Sequence, residues 1–453
     1  MARESGVEFE GVALLAAAGS ISSGINIVGH ISARMGLGTT AREYAKALLD
    51  VGVPVAMYEL PTGGGRSGAD TTFNHLCVPT AEDLPHPLTV WIVGAGTLPT
   101  IAKQLLQSEG IRAKFNAAFL WWELPDVPPL HVAAARAFDA IVTGSEFVRE
   151  AWAMATPGAP VLLAPHPLEI PHAVVAERER YGLRADQMVF FTGFEPASDP
   201  ARKNPFAAVD AFKRAFPNDD SVRLVLKINN AAAAPHAQSL MDQLDRLIRN
   251  DERVVKVMDH LSHPELLALY ACADAMVSLH RAEGLGLVPL EGMRLGVPAI
   301  ATGWSGNMTY MTHDGAALVR YRMTETDESS AHYAPRHIGV HSQWADPDVD
   351  HAAWWMRRLK EDLTLRSRLS GNARRDALSY DAWARELNFI SELGALAALP
   401  VPRRGCDSNE ILRGIKLAEM EQRYFGLNPT RRVVTRVMDS VRWRLHTTTR
   451  GGA

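Results

Sequence analysis

The sequence predicts an α/β chain of two doubly wound, Rossmann-like parallel sheets facing each other across a cleft, with a C-terminal helical extension. Three observations carry this reading. Short apolar runs of strand length alternate with longer helical stretches, the mark of parallel βαβ units. The alternation pauses once, at residues 161–171 (VLLAPHPLEIP), where Pro165, Pro167 and Pro171 bar a continuous helix or a central strand, and then restarts. The chain has 453 residues, enough for about two to three domains of ordinary size.

The elements follow in order. Residues 25–31 (INIVGHI) read as a buried strand and 39–51 as the helix after it; 53–58, 89–93, 117–120 and 140–143 read as further strands. Beyond the proline-rich stretch, 188–194, 222–228, 254–258, 275–279 and 298–302 read as five strands, with helices at 205–216, 237–249, 264–271 and 289–295. Residues 321–341 look like a loop, 350–378 are helical, and 381–396 form a last helix packing back toward the first domain. The expected domains are 1–170, 171–380, a returning helix in 381–399, and a basic helical tail in 400–453 that begins with a linker at 400–405. Ligands of such sheets sit at the carboxyl ends of the strands, so the cleft between the two is the expected site.

Composition narrows the function. Apolar residues at 47% and charged residues at 22% exclude a disordered or collagen-like chain. A net charge of −4 supplies no field for nucleic acid. The three cysteines, Cys77, Cys272 and Cys406, are far apart and odd in number, which argues against a disulfide framework or a Cys-rich zinc module and fits a reducing cytoplasm. The apolar run at 11–19 is about half a spanning length and follows Glu4, Glu8 and Glu10, so it reads as neither membrane helix nor signal peptide. No repeat with a period of 20–50 residues is visible.

The most informative segment is 278–307, SLHRAEGLGLVPLEGMRLGVPAIATGWSGN. A strand ends near Leu279, and a loop holds Glu283, Gly284 and Gly286. Pro289 suits the first turn of a helix, and Glu291 is expected in that turn. Two carboxylates thus flank a glycine-rich turn at a helix N-terminus, whose free N–H groups suit phosphate while the carboxylates suit hydroxyls. Phosphate beside polyhydroxyl is the shape of a nucleotide sugar. A glutamate that merely complements the helix dipole accounts for the spacing equally well.

This segment resembles the retaining family-4 glycosyltransferases of the GT-B fold, whose hallmark is two glutamates separated by seven residues. Glu283 and Glu291 match that spacing, and the words EGLGLVPLEGMRLGVPAIAT around them follow the family pattern. The resemblance spans about residues 26–318. It implies that Glu283 contacts the donor sugar, that Glu291 contacts the ribose hydroxyls, and that the anomeric configuration is retained. It also implies that Gly284, Gly286 and Leu287 border the donor.

The second segment, FEPASDPARKNPF at 194–206, follows a strand and precedes a helix. The family places an Arg five residues before a Lys, both on the diphosphate. Lys203 matches the Lys, but Ser198 stands where the Arg is expected, and Arg202 is the substitute at hand. In an extended segment Arg202 and Lys203 would point opposite ways. The third segment, GHISARMGLGTTAR at 29–42, leads from a strand through Gly36 and Gly38 into a helix capped by Thr39 or Thr40, and resembles the family loop that faces the donor across the cleft.

Softer candidates surround these. Trp121, Trp122 and Glu123 follow a strand where such folds place acceptor contacts, although core tryptophans with a capping Glu are the favoured reading. Ser145 and Glu146 match a cleft segment or a simple helix cap. His166 lies in the interdomain stretch. His280 and Arg281 precede Glu283, with Arg281 placed to neutralise phosphate, and 304–307 line the same region or merely shape the loop. Asp346, Asp348 and Asp350 mimic a DxD metal pair but stand before a helix, where Asp348 or Asp350 reads as a cap. None of the 16 histidines forms a paired zinc pattern, so no metal site is expected and Lys203 with the helix terminus replaces the cation.

The tail 431–450 carries six Arg and one Asp with apolar residues on one face, a helix equally suited to an anionic membrane surface or to its own protein. The reading is therefore a glycosyltransferase, cytoplasmic or peripheral on the inner membrane face. It takes a nucleotide-diphosphate sugar as donor and a glycan or lipid-linked glycan as acceptor, in polysaccharide or glycolipid assembly, with no cofactor and no nucleic acid. Two other readings stand beside it: a nucleotide-sugar epimerase on the same fold, and a non-catalytic sugar-binding subunit, which Ser198 favours.

Overall fold

A computed structural model of the chain describes residues 24–33, 35–61, 70–229, 238–399 and 407–425. Two six-stranded sheets organise it. The first contains β1 Ile25–Gly29, β2 Val55–Glu59, β3 Leu88–Gly94, β4 Phe115–Trp121, β5 Ala140–Thr143 and β6 Val161–Leu163 in the order β2-β1-β3-β4-β5-β6. The second contains β7 Met188–Phe194, β8 Val222–Ile228, β9 Val254–Val257, β10 Ala275–Ser278, β11 Ala299–Thr302 and β12 Ala316–Val319 in the order β12-β11-β10-β7-β8-β9. Every pairing in both sheets is parallel.

Parallel strands must be covered on both faces, which is why β1, β3 and β4 are almost wholly buried runs of apolar residues rather than alternating ones. One face of the first sheet packs on the helices Gly36–Asp50 and Asn388–Ala398, through Tyr44, Leu48, Phe389 and Leu393. The other packs on Leu98–Gln107, Glu146–Ala155 and, through Ile411 and Ile415, on Ser408–Phe425. The second sheet lies between Pro205–Ala215 with Val349–Glu361 on one side and His263–Ala271, Leu287–Arg294 and Leu363–Arg385 on the other. The strand order reverses between β1 and β3 in one sheet and between β7 and β10 in the other. Such switch points open crevices at the strand ends, and the loops after β7 and β10 hold Lys203 and Glu283.

Several expectations are corrected. Residues 161–163 do form a strand, β6, tolerated next to Pro165 because it is an edge strand paired only with β5. Residues 316–319 form β12. The expected loop at 321–341 is a β-excursion: β13 Tyr321–Glu325 and β14 Gln343–Pro347 pair antiparallel, with the short helix Pro335–Ile338 between them. β13 is exposed along nearly all of its length, so it carries no period-two apolar signal. The helical stretch at 350–378 is two helices, split at Asp362, whose carboxylate accepts the Leu365 N–H at 2.9 Å and caps the second. That second helix runs on to Arg385, so the last helix expected from 381 starts at Asn388, after Leu387 with φ of +51°. It is also not the last, because Ser408–Phe425 follows.

Cys77 and Cys272 are free thiols. Among the described residues no helix is long and apolar enough to cross a membrane. The linker at 400–405, the basic helix at 431–450 and the apolar run at 11–19 lie outside the described residues.

Candidate active site

A cavity of about 540 Å³ opens between the two sheets. Its floor is the loop after β10. There Glu283 is 6% exposed, and its carboxylate accepts from Lys203 Nζ at 2.6 Å and Arg202 Nη1 at 3.1 Å. Burial pushes the carboxyl up, but the two cations outweigh it and hold its pKa at about 2. The loop is pinned from behind: the Glu283 N–H donates to Ser305 Oγ at 2.9 Å and the Gly306 N–H to the Glu283 carbonyl at 2.9 Å. Ser305 itself sits at φ of +80°, a strained backbone of the kind that clusters at functional sites.

Lys203 and Arg202 reach the same carboxylate because residues 200–203 are a single helical turn, so the opposite orientation that an extended segment would impose does not arise. Asp199, at φ of +62°, accepts from the Ala201 and Arg202 N–H groups at 3.0 and 3.3 Å and winds that turn. Arg202 is 3% exposed. It also donates to the Ala282 carbonyl at 2.8 Å and, through Nη2, to Ser198 Oγ at 3.1 Å and the Ser198 carbonyl at 3.2 Å. The guanidinium therefore lies against Ser198, the position where the resemblance expects an Arg. Lys203 lines the cavity with its ammonium partly exposed.

Gly284, Gly286 and Leu287 line the cavity as well. Gly286 is the αL residue (φ +84°) from which the helix Leu287–Arg294 starts, and the Tyr310 hydroxyl donates to its carbonyl at 2.6 Å. The helix begins two residues before Pro289, so Glu291 lies in its second turn rather than its first. Glu291 is 3% exposed, outside the cavity wall, and accepts from or shares a proton with His263 Nε2 at 2.8 Å. Arg281 is turned away: its guanidinium lies over the Trp344 ring at 5.4 Å, 3.3 Å from Asp346 and bonded to the Ala201 carbonyl at 2.9 Å. Asp346 is thus engaged with Arg281, and Asp348 caps the following helix by accepting the His351 N–H at 2.9 Å. His280 is buried and held by Ser278 and Asn307.

The first domain supplies the opposite wall. The helix Gly36–Asp50 starts at Gly36 with Met35 as its cap; Thr39 and Thr40 lie inside it, and Thr40 Oγ1 donates to the Gly36 carbonyl at 2.9 Å. Gly36 faces open space, whereas a Cβ on Gly38 would stand 2.2 Å from the Ala33 carbonyl oxygen, so Gly38 is required by its own loop. Trp122 is 4% exposed and packs on His131. Glu123 accepts the Tyr333 hydroxyl. His166, 1% exposed, lies between Thr40 Oγ1 and the Pro167 carbonyl, and burial lowers its pKa to about 4. Ser145 caps its helix and also donates across the cleft to the Gly284 carbonyl.

Three features escaped sequence reasoning. The 326–342 excursion brings His332, Tyr333 and His337 over the cavity, and Gln422 of the C-terminal helix joins them. His263 stands beside Glu291 across 28 residues of sequence. Glu43 is buried at the domain seam. None sits in a motif, and each is placed by tertiary packing.

The family described as family 4 glycosyltransferase in conflict systems has a model that matches residues 132–375, more than half of the chain. None of the curated proteins matches the sequence. Among solved structures, the UDP-forming α,α-trehalose-phosphate synthase of Burkholderia vietnamiensis superposes with a TM-score of 0.58 at 14% identity, over 83% of this chain and 98% of its own. Sucrose-phosphate synthase of Thermosynechococcus elongatus gives 0.56 at 14%, over 82% and 96%. HepE of Anabaena, solved with UDP and glucose, gives 0.55 at 16%, over 80% and 98%. The paired six-stranded sheets and these neighbours make the fold GT-B.

Proposed function

We propose, from the premise that this chain belongs to the family-4 glycosyltransferases of conflict systems, that it moves a sugar from a nucleotide diphosphate to an acceptor hydroxyl with retention at the anomeric carbon. One observation carries the reading: an ionised, buried Glu283 and a partly exposed Lys203 stand together at the switch point of the second sheet, on the cavity between the domains. The crystal structures of HepE in complex with UDP and with UDP-glucose support a nucleotide-sugar donor.

The chemistry follows from charge. As the bond from the anomeric carbon to the phosphate oxygen breaks, its electron pair moves to the diphosphate. Lys203 and the N–H groups of Gly286, Leu287 and the residue after it meet that charge, without a metal at this place. Glu283 accepts sugar hydroxyls and fixes the ring, and Glu291 takes the ribose once His263 releases it. Arg202 holds Glu283 and fills the gap at Ser198. The acceptor enters beside Trp122, Glu123 and His166, forms its bond on the face the diphosphate leaves, and gives its proton to the leaving phosphate oxygen. A Glu283 tied to two cations is suited to hydroxyl binding rather than to attack on carbon. The acceptor is a glycan or a lipid-linked glycan.

The test is a binding and hydrolysis screen against a panel of UDP- and GDP-sugars, with Glu283→Gln and Lys203→Ala as controls. Saturable use of one donor, lost in both variants, is expected; no binding to any donor, or a product with inverted anomeric configuration by NMR, would overturn the proposal.

A further inference from the structure

Glu43, on the first-domain helix Gly36–Asp50, is 5% exposed; neither of its carboxylate oxygens has a partner in good hydrogen-bond geometry, and the Glu169 backbone N–H gives only a weaker pull. His166 Nδ1 lies 3.3 Å from Oε2 but directs its proton to the Pro167 carbonyl at 2.9 Å. Across the domain seam stand Glu291 and His263, from two different helices of the second domain, with His263 Nε2 2.8 Å from Glu291 Oε1. One ligand atom from each of Glu43, His263 and Glu291 lies within 4.8 Å of the other two. Burial, and after it the charge of Glu291, push the Glu43 carboxyl well above its ordinary range. In the metal-free chain burial keeps a proton on Glu43, and an ion bridging the two carboxylates and the imidazole would displace it.

A divalent ion fits the gap. Tetrahedral coordination by nitrogen and oxygen at about 2.0–2.1 Å sets ligand atoms about 3.4 Å apart, a spacing that small side-chain rotations reach here. Two carboxylates balance the charge of the ion. Imidazole with carboxylates suits zinc and its neighbours. The His263 side chain is 35% exposed, which leaves a route from solvent and room for a fourth, water ligand.

We propose that Glu43, His263 and Glu291 form a divalent transition-metal site, of the zinc class, that ties the two domains together and withholds Glu291 from an arriving nucleotide. The second half rests on the donor reading above; the site itself does not. Ligands 220 and 28 residues apart form no sequence motif, so the absence of paired zinc spacing carries no weight against it. The ion would act as a latch, separate from the diphosphate chemistry at Lys203.

Calorimetric titration of Zn²⁺ into the full chain, stripped with chelator, tests the site. One zinc per chain is expected, with affinity lowered roughly tenfold or more in Glu43→Gln and in His263→Gln, both checked for folding by circular dichroism. If Glu43→Gln fails to fold, the partly exposed His263 decides alone. No stoichiometric binding, or binding that both folded variants retain, overturns the site. UDP and GDP are then titrated with and without zinc. Weaker nucleotide binding in zinc supports the competition, and equal binding overturns it. A chain that binds zinc through these residues but no nucleotide when zinc-free overturns the donor reading and leaves the metal site standing.

Discussion

Glu283 is the residue on which most of the site converges, and its two cations do different work. Lys203 is partly exposed on the cavity, while Arg202 is buried and bonded through both terminal nitrogens to Glu283, Ala282 and Ser198. Removing each should therefore fail differently. Lys203→Ala removes the cation nearest the leaving diphosphate and one of the two that hold Glu283; kcat is expected to fall by about 10²–10³, with a loss of stability smaller than for Arg202→Ala because Lys203 is partly exposed. Arg202→Ala leaves a buried carboxylate short of a partner and opens a hole under the loop. It is expected to destabilise the fold by about 3–5 kcal/mol, read by denaturant unfolding. Should Lys203→Ala unfold the chain while Arg202→Ala leaves it stable, the assignment of the two roles would be reversed.

At the scale of elements, the site is held by turns that tolerate no side chain. A Cβ on Gly306 would lie 2.0 Å from the Gly284 carbonyl oxygen, backbone against backbone, in the loop that pins Glu283. Gly306→Ala is expected to cost both stability and activity. Gly371→Ala, in the middle of the helix Leu363–Arg385 with nothing within 4 Å, is expected to gain about 0.5–1 kcal/mol. Equal melting curves for the two variants would show that the loop is not so constrained. The same contrast explains what the sequence could tell. Strands β7, β8 and β10 and the Glu283 loop were legible because buried parallel strands are continuous apolar runs and their glycine turns have no substitutes. β13 was not, because an exposed strand of Tyr, Arg, Met, Thr and Glu has no buried face to leave a pattern. The position of Arg202 depended on whether 200–203 is helical or extended, and that is decided by Asp199, whose carboxylate is in turn anchored by Ser330 and the His332 N–H. Roof residues such as Tyr333 owe their place to packing across 210 residues of chain.

Across the whole molecule, the domains meet through buried polar groups whose charge state depends on pH. Ser145 bonds Gly284, Tyr380 bonds the His166 N–H, and His131 and His166 are enclosed within the first-domain wall. Burial lowers the pKa of His131 and of His166 to about 4, from the 6.5 of a free imidazole, and lowers that of His280 in the same direction. For a group with a depressed folded pKa, the unfolded chain binds the extra proton. Its contribution is complete above the unfolded pKa and is lost as pH falls through the interval between the two values. Glu43 works the other way: its folded pKa is raised, so its contribution is present at low pH and is lost as pH rises. His263, also raised by Glu291 despite its burial, shares that sign but is protonated in both states below about pH 6.5. Between pH 6 and 5 the two histidines at about 4 outweigh the raised Glu43 in the metal-free chain, and the unfolded chain, whose imidazoles are only partly protonated at pH 6, holds a net excess of roughly half to one proton. Stability is expected to fall by roughly 0.7–1.4 kcal/mol per pH unit across that window. The check is denaturant unfolding at pH 7, 6 and 5. Replacing both His131 and His166 by Gln removes the two titrating rings and should flatten or reverse the slope. A wild-type profile that stays level down to pH 5, or a double variant that keeps the wild-type slope, would mean that these imidazoles reach solvent and that the domain seam is open in solution.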